Sequence, residues 1–319
     1  MTTPFDTLRL PVFAAPMFLV SGPEMVIAAC KSGIGGAFPT PNCRTVEDLD
    51  RWMDQITGAL EPGDGPWIAN MITHSTNARL AEDLRLVAQY KPPVVITALG
   101  SPRPVIETVK SYGGLVFADV VSMTLARKAA AAGVDGLACV SAGAGGHTGH
   151  LSPFAFISAV REFFDGYVAV GGGVGDGAGV AGAIAAGADF VYMGTRFLAA
   201  TESMAQPEYK QMVVDAGPDD LIVSAAVTGT NASWLKPSLR AAGHDPDAMG
   251  GPAQRDYSSN GDQKRWRDIW AAGQGLGAVK SIEPVSSIVD TLAEEYQSAL
   301  DRFAARADVA VRRKASAAA

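Results

Sequence analysis

Tyr167–Thr195 reads YVAVGGGVGDGAGVAGAIAAGADFVYMGT. It opens on an apolar run, Tyr167–Gly172, and passes through a glycine loop, Gly171-Gly172-Gly173-Val174-Gly175-Asp176-Gly177. An Ala-rich helical segment, Gly177–Ala186, follows, and then a second apolar run, Phe190–Thr195. Neither run alternates with polar residues, as expected of parallel strands buried on both faces. The hydrophobic period switches from about 2 to about 3.6 between them, the mark of a βαβ unit.

The same unit repeats toward the N-terminus. Further strands are expected at Val12–Met17, Gly33–Phe38, Pro66–Met71, Pro93–Leu99, Gly114–Val120 and Gly136–Ala142. Helical segments lie between them: Gly22–Lys31, Thr45–Leu60, Ser75–Tyr90, Ser101–Tyr112, Ser122–Ala132 and Pro153–Phe164. Eight strand–helix units argue for an α/β fold of the closed (β/α)8 TIM-barrel type, with an open doubly wound sheet as the alternative. A closed barrel places its chemistry at the C-terminal ends of its strands. Beyond Thr195 the pattern breaks. Residues 1–217 and 268–319 are expected to form the barrel. Residues 218–267, rich in Gly, Pro and polar groups, are expected as a smaller, mostly helical insertion that covers the substrate as a lid. Val285–Ala305 reads as an amphipathic helix closing the outer ring, and the tail from Arg306 is expected to fray.

The bulk numbers narrow the function. The chain has 319 residues, 48% apolar and 18% charged, enough for a large core. A net charge of −7 gives no electrostatic footprint for nucleic acid. Arg312, Arg313 and Lys314 form the one basic run and read as a solvated tail. No apolar run reaches the ~20 residues of a membrane helix, and the start, MTTPFDTLRLPVF, has no signal-peptide pattern. The expectation is a cytoplasmic protein without a membrane partner. Cys30, Cys43 and Cys139 are odd in number and form no CxxC, which suits free thiols in a reducing compartment. A homodimer is compatible with the chain, although nothing in the sequence sets its oligomeric state.

Two glycine loops point to a ligand. The seventh strand runs into Gly172 and Gly173, the eighth into Gly194 and Thr195, and in a barrel these loops are neighbours. Backbone N–H groups freed by glycine approach an anion closely, the Thr195 hydroxyl adds a donor, and a following helix N-terminus adds its positive end. This is the pattern of a phosphate-bearing cofactor. Gly173-x-Gly175-x-x-Ala178 also matches a dinucleotide fingerprint, but that motif needs an acidic residue ending the next strand, and Thr195–Leu198 supplies none. A glycine turn without a ligand is the plainer alternative.

The sixth strand ends in Ser141-Ala142-Gly143-Ala144-Gly145-Gly146-His147-Thr148-Gly149-His150, which carries two of the chain's four histidines. Imidazole titrates near neutral pH, so His147 suits proton transfer with a carbon acid or hydrogen bonding to an anion. His147 and His150 are three apart, but no Cys, Asp or Glu in the loop completes a zinc set, and no metal is expected. His74, after the third strand, suits a hydrogen-bonded structural role as well as a functional one.

Together these residues resemble the nitronate monooxygenases. The likeness rests on Ala15-Pro16-Met17, Asn70, Ala144-Gly145-Gly146-His147, Gly172-Gly173, Met193-Gly194-Thr195-Arg196-Phe197 and Ala272-Gly273-Gln274-Gly275. The resemblance implies an FMN-binding barrel that oxidises alkyl nitronates with O2 to a carbonyl compound and nitrite. It implies isoalloxazine contacts around Ala15, Pro16 and Met17, and phosphate contacts from Gly172, Gly173, Gly194 and Thr195. Asn70, Asp119, Gly145, Gly146 and Gln274 complete the expected cofactor set, and His147 is the expected catalytic residue.

Two positions depart from the family pattern. Many relatives carry an acidic residue where Gly143 stands, and many carry a basic or amide side chain where Asp119 stands. Both differences bear on the substrate more than on the cofactor. The resemblance therefore leaves a second activity open, an NAD(P)H-dependent flavin reductase of quinones or of enoyl or acyl thioesters. A flavin- or phosphate-binding module without turnover is a third reading. In the insertion Trp234, Tyr257, Lys264 and Trp266 are available to line a pocket, though ordinary lid packing accounts for them better.

Overall fold

A computed structural model describes residues 3–252 and 266–317. Eight parallel strands close into a barrel in the order β1 (Val12–Ala14), β2 (Gly35–Pro39), β3 (Trp67–Ile72), β4 (Val94–Ala98), β5 (Leu115–Val120), β6 (Gly136–Val140), β8 (Tyr167–Gly171) and β9 (Phe190–Met193). Closure is made by β9 against β1, with Ala14 opposite Met193. The open doubly wound alternative is thereby set aside.

The strands follow the expected runs, but β1, β4, β6, β8 and β9 stop one to three residues early, while β2 and β3 run one residue further. After β1 the Ala15 N–H still donates to the Met193 carbonyl at 2.9 Å, and Pro16, with no N–H, ends the ladder. Helices α1 (Pro23–Lys31), α2 (Val46–Ala59), α3 (Leu80–Tyr90), α4 (Arg103–Ser111), α5 (Met123–Ala132), α6 (Pro153–Arg161) and α7 (Gly177–Ala185) ring the barrel. Their starts are written in the sequence. Thr45 and Asp48 form a reciprocal capping box on α2, and Ser122, Ser152 and Asp176 cap α5, α6 and α7. Helix α3 begins five residues later than expected. The Asn77 amide donates to the Ile72 carbonyl and accepts from the Arg79 N–H, holding 73–79 as a loop.

Alternate strand residues fill the barrel. Phe13, Ile68, Phe117, Phe190 and Tyr192 lie in one interior cluster, and Phe5 plugs its N-terminal end, 4.5 Å from the Phe190 ring and 5.0 Å from Tyr167. The N-terminal half of the interior is therefore filled by aromatic rings. Cys30, Cys43 and Cys139 are free and buried, each thiol pushed up to about 12 by burial.

The segment 218–267 holds more than loops and helices. It contributes β10 (Leu221–Ser224), β11 (Ala232–Leu235) and helix α8 (Lys236–Ala241). Strand β11 pairs with β10 on one side and with β7 (Gly146–His147) on the other. The C-terminal helix extends from Val285 to Ala317, past the expected end at Ala305. The tail expected to fray continues it, in keeping with the helix propensity of its Ala and Arg residues. No described helix is long and apolar enough to cross a membrane.

Candidate active site

The loops that leave β1, β6, β8 and β9 meet at one end of the barrel, joined by the segment 272–275. Gly143 is the hub. Its carbonyl accepts from the Gly173 N–H at 3.1 Å and from the Gln274 N–H at 2.8 Å. Its φ of +88° favours glycine, and a Cβ there would sit 2.8 Å from Gln274 Oε1. A side chain at 143, acidic or otherwise, would be strained in this backbone. Gly145 packs on the backbone of Ala272 and Gly273, and Gly273 donates its N–H to Thr195 Oγ1 at 2.9 Å. The Thr195 hydroxyl hydrogen stays available for a ligand oxygen. Gly172 has φ +132°, and an added Cβ would lie 2.7 Å from the Ala142 carbonyl. Behind it Ser141 holds the Gly171 carbonyl through both its N–H and its hydroxyl.

The β1 loop reaches the same place. A Cβ on Gly194 would meet Met17 Sδ at 3.4 Å and the Ala15 side chain at 3.8 Å. Ser21 and Asn42 fix this loop. The Ser21 hydroxyl accepts from the Met17 N–H and donates to the Ala15 carbonyl, and the Asn42 amide donates to the Met17 carbonyl. Neither residue stood out in the sequence, because each acts through backbone groups with no motif of its own. Pro16, between Ala15 and Met17, is carried by the same loop. Ala15, Pro16, Met17, Gly145, Gly172, Gly173, Gly194, Thr195 and Gln274 are thus gathered at one end.

One expected contribution is absent. The α7 N-terminus does not face a ligand: Asp176 Oδ1 accepts from Gly179 N–H at 2.7 Å, and Glu295 Oε2 from the C-terminal helix accepts from Gly177 N–H at 2.8 Å. Two protein carboxylates already occupy that positive end. An anion at this site is left to the backbone of the glycine loops and to Thr195. Arg196, part of the same motif, turns away and pairs with Glu283 at 3.0 Å.

His147 lies on β7, opposite Ala232 of β11, and is exposed. Its ring meets the Trp266 ring edge-on at 5.3 Å, and Trp266 packs on the fully buried Trp234 at 4.6 Å. The insertion therefore holds the histidine loop in place. Tyr257 and Lys264 lie outside the described residues. His74 Nδ1 lies 2.8 Å from the Thr76 hydroxyl within its own turn. His150 is exposed, and among the described residues no group of three or more His, Cys, Asp or Glu could hold a metal.

Asn70 and Asp119 share the barrel's inner face just below these loops. Asn70 Nδ2 donates to Asp119 Oδ2 at 3.1 Å. Burial pushes the Asp119 carboxyl up to about 7, while Asn70 and then Tyr192 pull the other way. The Tyr192 phenol is close enough to influence the carboxyl, yet Tyr192 OH and Asp119 Oδ1 are both buried without a well-formed hydrogen bond. Tyr192 was hidden in the sequence as one strand residue among apolar neighbours.

The closed barrel and the glycine cradle at its catalytic end define a class, cofactor-dependent barrel enzymes. A profile of nitronate monooxygenases matches residues 2–295, and the chain belongs to that family, which makes it a flavin-dependent oxidoreductase. A nitronate monooxygenase of Neurospora crassa is 27% identical, over 94% of this chain and 93% of the relative. FabK from Thermotoga maritima superimposes with a TM-score of 0.79 at 25% identity, covering 95% of this chain and 97% of FabK. Nitroalkane oxidase from Streptomyces ansochromogenes, at 24% identity, shares the fold with a TM-score of 0.79 over 93% of this chain and 99% of its own.

Proposed function

We propose that this chain binds FMN at the glycine-lined end of the barrel and oxidises small alkyl nitronates with O2 to a carbonyl compound and nitrite. The observation that carries the proposal is the meeting of five separate segments, around residues 15–17, 143–147, 172–173, 194–195 and 272–275, on one barrel end. The residues fit the cofactor. Glycine at 172, where a Cβ would run into the Ala142 carbonyl, and at 194 keeps both loop backbones bare of side chains, and buried Asp119 Oδ1 and the Tyr192 hydroxyl lie below without a well-formed hydrogen bond.

Gly172, Gly173, Gly194 and the Thr195 hydroxyl would hold the phosphate, with Gln274 beside them. Ala15, Pro16, Met17, Asn70, Asp119, Gly145 and Gly146 would border the ring. When bound, the flavin supplies the electron acceptor and the route to O2. The protein does the rest. His147 takes the proton from a neutral nitroalkane or donates a hydrogen bond to the nitronate oxygens, where the anion's charge resides. Trp266 limits the swing of the imidazole. The segment 218–267 covers the substrate and excludes water, and the barrel stays in the cytoplasm, with a homodimer as its assembly.

Product analysis tests the reading. Air-equilibrated, FMN-loaded protein given ethyl nitronate should consume O2 and release nitrite and acetaldehyde. His147→Ala should keep its flavin and lose about 100-fold or more in turnover of the neutral nitroalkane. Turnover of quinones or enoyl thioesters with NADPH, and none of nitronates, would instead establish the reductase.

A further inference from the structure

The carboxyl at 119 is a group that the proposed chemistry does not use. It sits on the inward-facing side of β5, one residue from the strand's C-terminal end. Asn70 of β3 and Tyr192 of β9 face it across the barrel. The Cys139 thiol of β6 also feels its charge, and stays neutral because burial holds that thiol up near 12. None of these neighbours is a cation. Asn70 satisfies one oxygen. The other, Oδ1, is buried beside the Tyr192 hydroxyl without a well-formed hydrogen bond. A carboxylate in such a place is poorly compensated, and a second anion brought close to it would drive it to its neutral form.

We propose that Asp119 holds a proton for the flavin, taking one up from solvent when the bound ring is reduced and releasing it on reoxidation. The inference rests on the FMN reading above. The balance is simple. Two electrons come from a chemical reductant, dithionite, in the potential titration that tests the proposal. The ring gains those electrons and one proton and becomes an anion, and the Asp119 carboxylate gains a second proton. On reoxidation the two electrons pass to the oxidant, the ring gives up the proton it gained, and the carboxyl returns its own proton to solvent. Asn70 and Tyr192 serve this cycle by fixing the carboxyl at the barrel mouth. Burial raises the carboxyl to about 7 before any ring is present, so the exchange falls just above neutral pH.

The test is the midpoint potential of the protein-bound flavin from pH 7 to 9. The extra proton makes reduction of the wild type tenfold harder per pH unit beyond the ring's own dependence, ~30 mV per pH unit for a two-electron couple. Asp119→Asn, loaded with FMN at a concentration that saturates it, should lose that extra slope. Equal slopes in wild type and variant would overturn the proposal and leave the flavin reading intact. Protein that binds no FMN would overturn the flavin reading itself. A second measurement needs no variant: the reduced-minus-oxidised infrared spectrum of wild type at pH 8 should gain the carbonyl stretch of a protonated carboxyl. Its absence would overturn the proposal as well.

Discussion

At the scale of single residues, Asp119 is one of the two positions that depart from the family pattern, and the one that carries charge. Its carboxyl is raised by burial, with Asn70 and Tyr192 opposing. The raised value has a direct consequence for the apoprotein. Below pH ~4 the folded and unfolded chains both hold the proton, and Asp119 costs the fold nothing. As pH climbs from there, the unfolded chain ionises first and stability drains away, levelling off above the folded value of about 7. The loss is bounded at roughly 4 kcal/mol. Urea unfolding of flavin-free protein should therefore show Asp119→Asn more stable than wild type at pH 8.5, with the gap narrowing toward pH 4. A gap that widens at acid pH would contradict the account. Much of this site was legible in the sequence. His147 and the glycines at 172, 173 and 194 announce themselves, because a side chain or a missing side chain in a tight loop leaves a local mark. Asp119 was legible as a departure from the family. Tyr192, Ser21 and Asn42 were not, since each matters only through a partner that folding brings close.

At the scale of elements, the strand–helix alternation read from apolar periodicity matches the structure strand by strand, and the misreadings share a cause. The sequence marks where a helix can begin, and Asn77 shows how one side chain bonding to nearby backbone delays it. The α7 N-terminus looked free for a phosphate, yet Glu295 reaches it from 118 residues away. Strand β7 was hidden because two residues carry no period; it exists only through its partner β11. That pairing makes a prediction. Ala232 pairs with both Ser224 and His147, so Ala232→Pro removes a donor from a central strand. Turnover should fall at least tenfold while flavin content and the circular dichroism of the barrel are kept. A variant with full turnover would show that the sheet does not position the histidine.

At the scale of the whole molecule, each end of the barrel has its own task. The N-terminal end is packed with aromatic rings around Phe5. A cavity of about 620 Å³ opens there, lined by Leu115, Val134, Phe164 and Tyr167, with none of the glycine loops near it. Space alone does not mark function; the convergence of backbone groups does. The C-terminal helix packs on α7 and carries the Glu295 cap, and the Arg196–Glu283 pair ties the end of β9 to the chain leading into that helix. The account as a whole rests on a flavin seated at the strand ends within reach of His147. The absorption spectrum of the purified protein, taken before and after ethyl nitronate is added without oxygen, tests this most directly. The account predicts a yellow protein whose flavin bands bleach with the nitronate and return with air. A colourless protein that takes up no added FMN would contradict it.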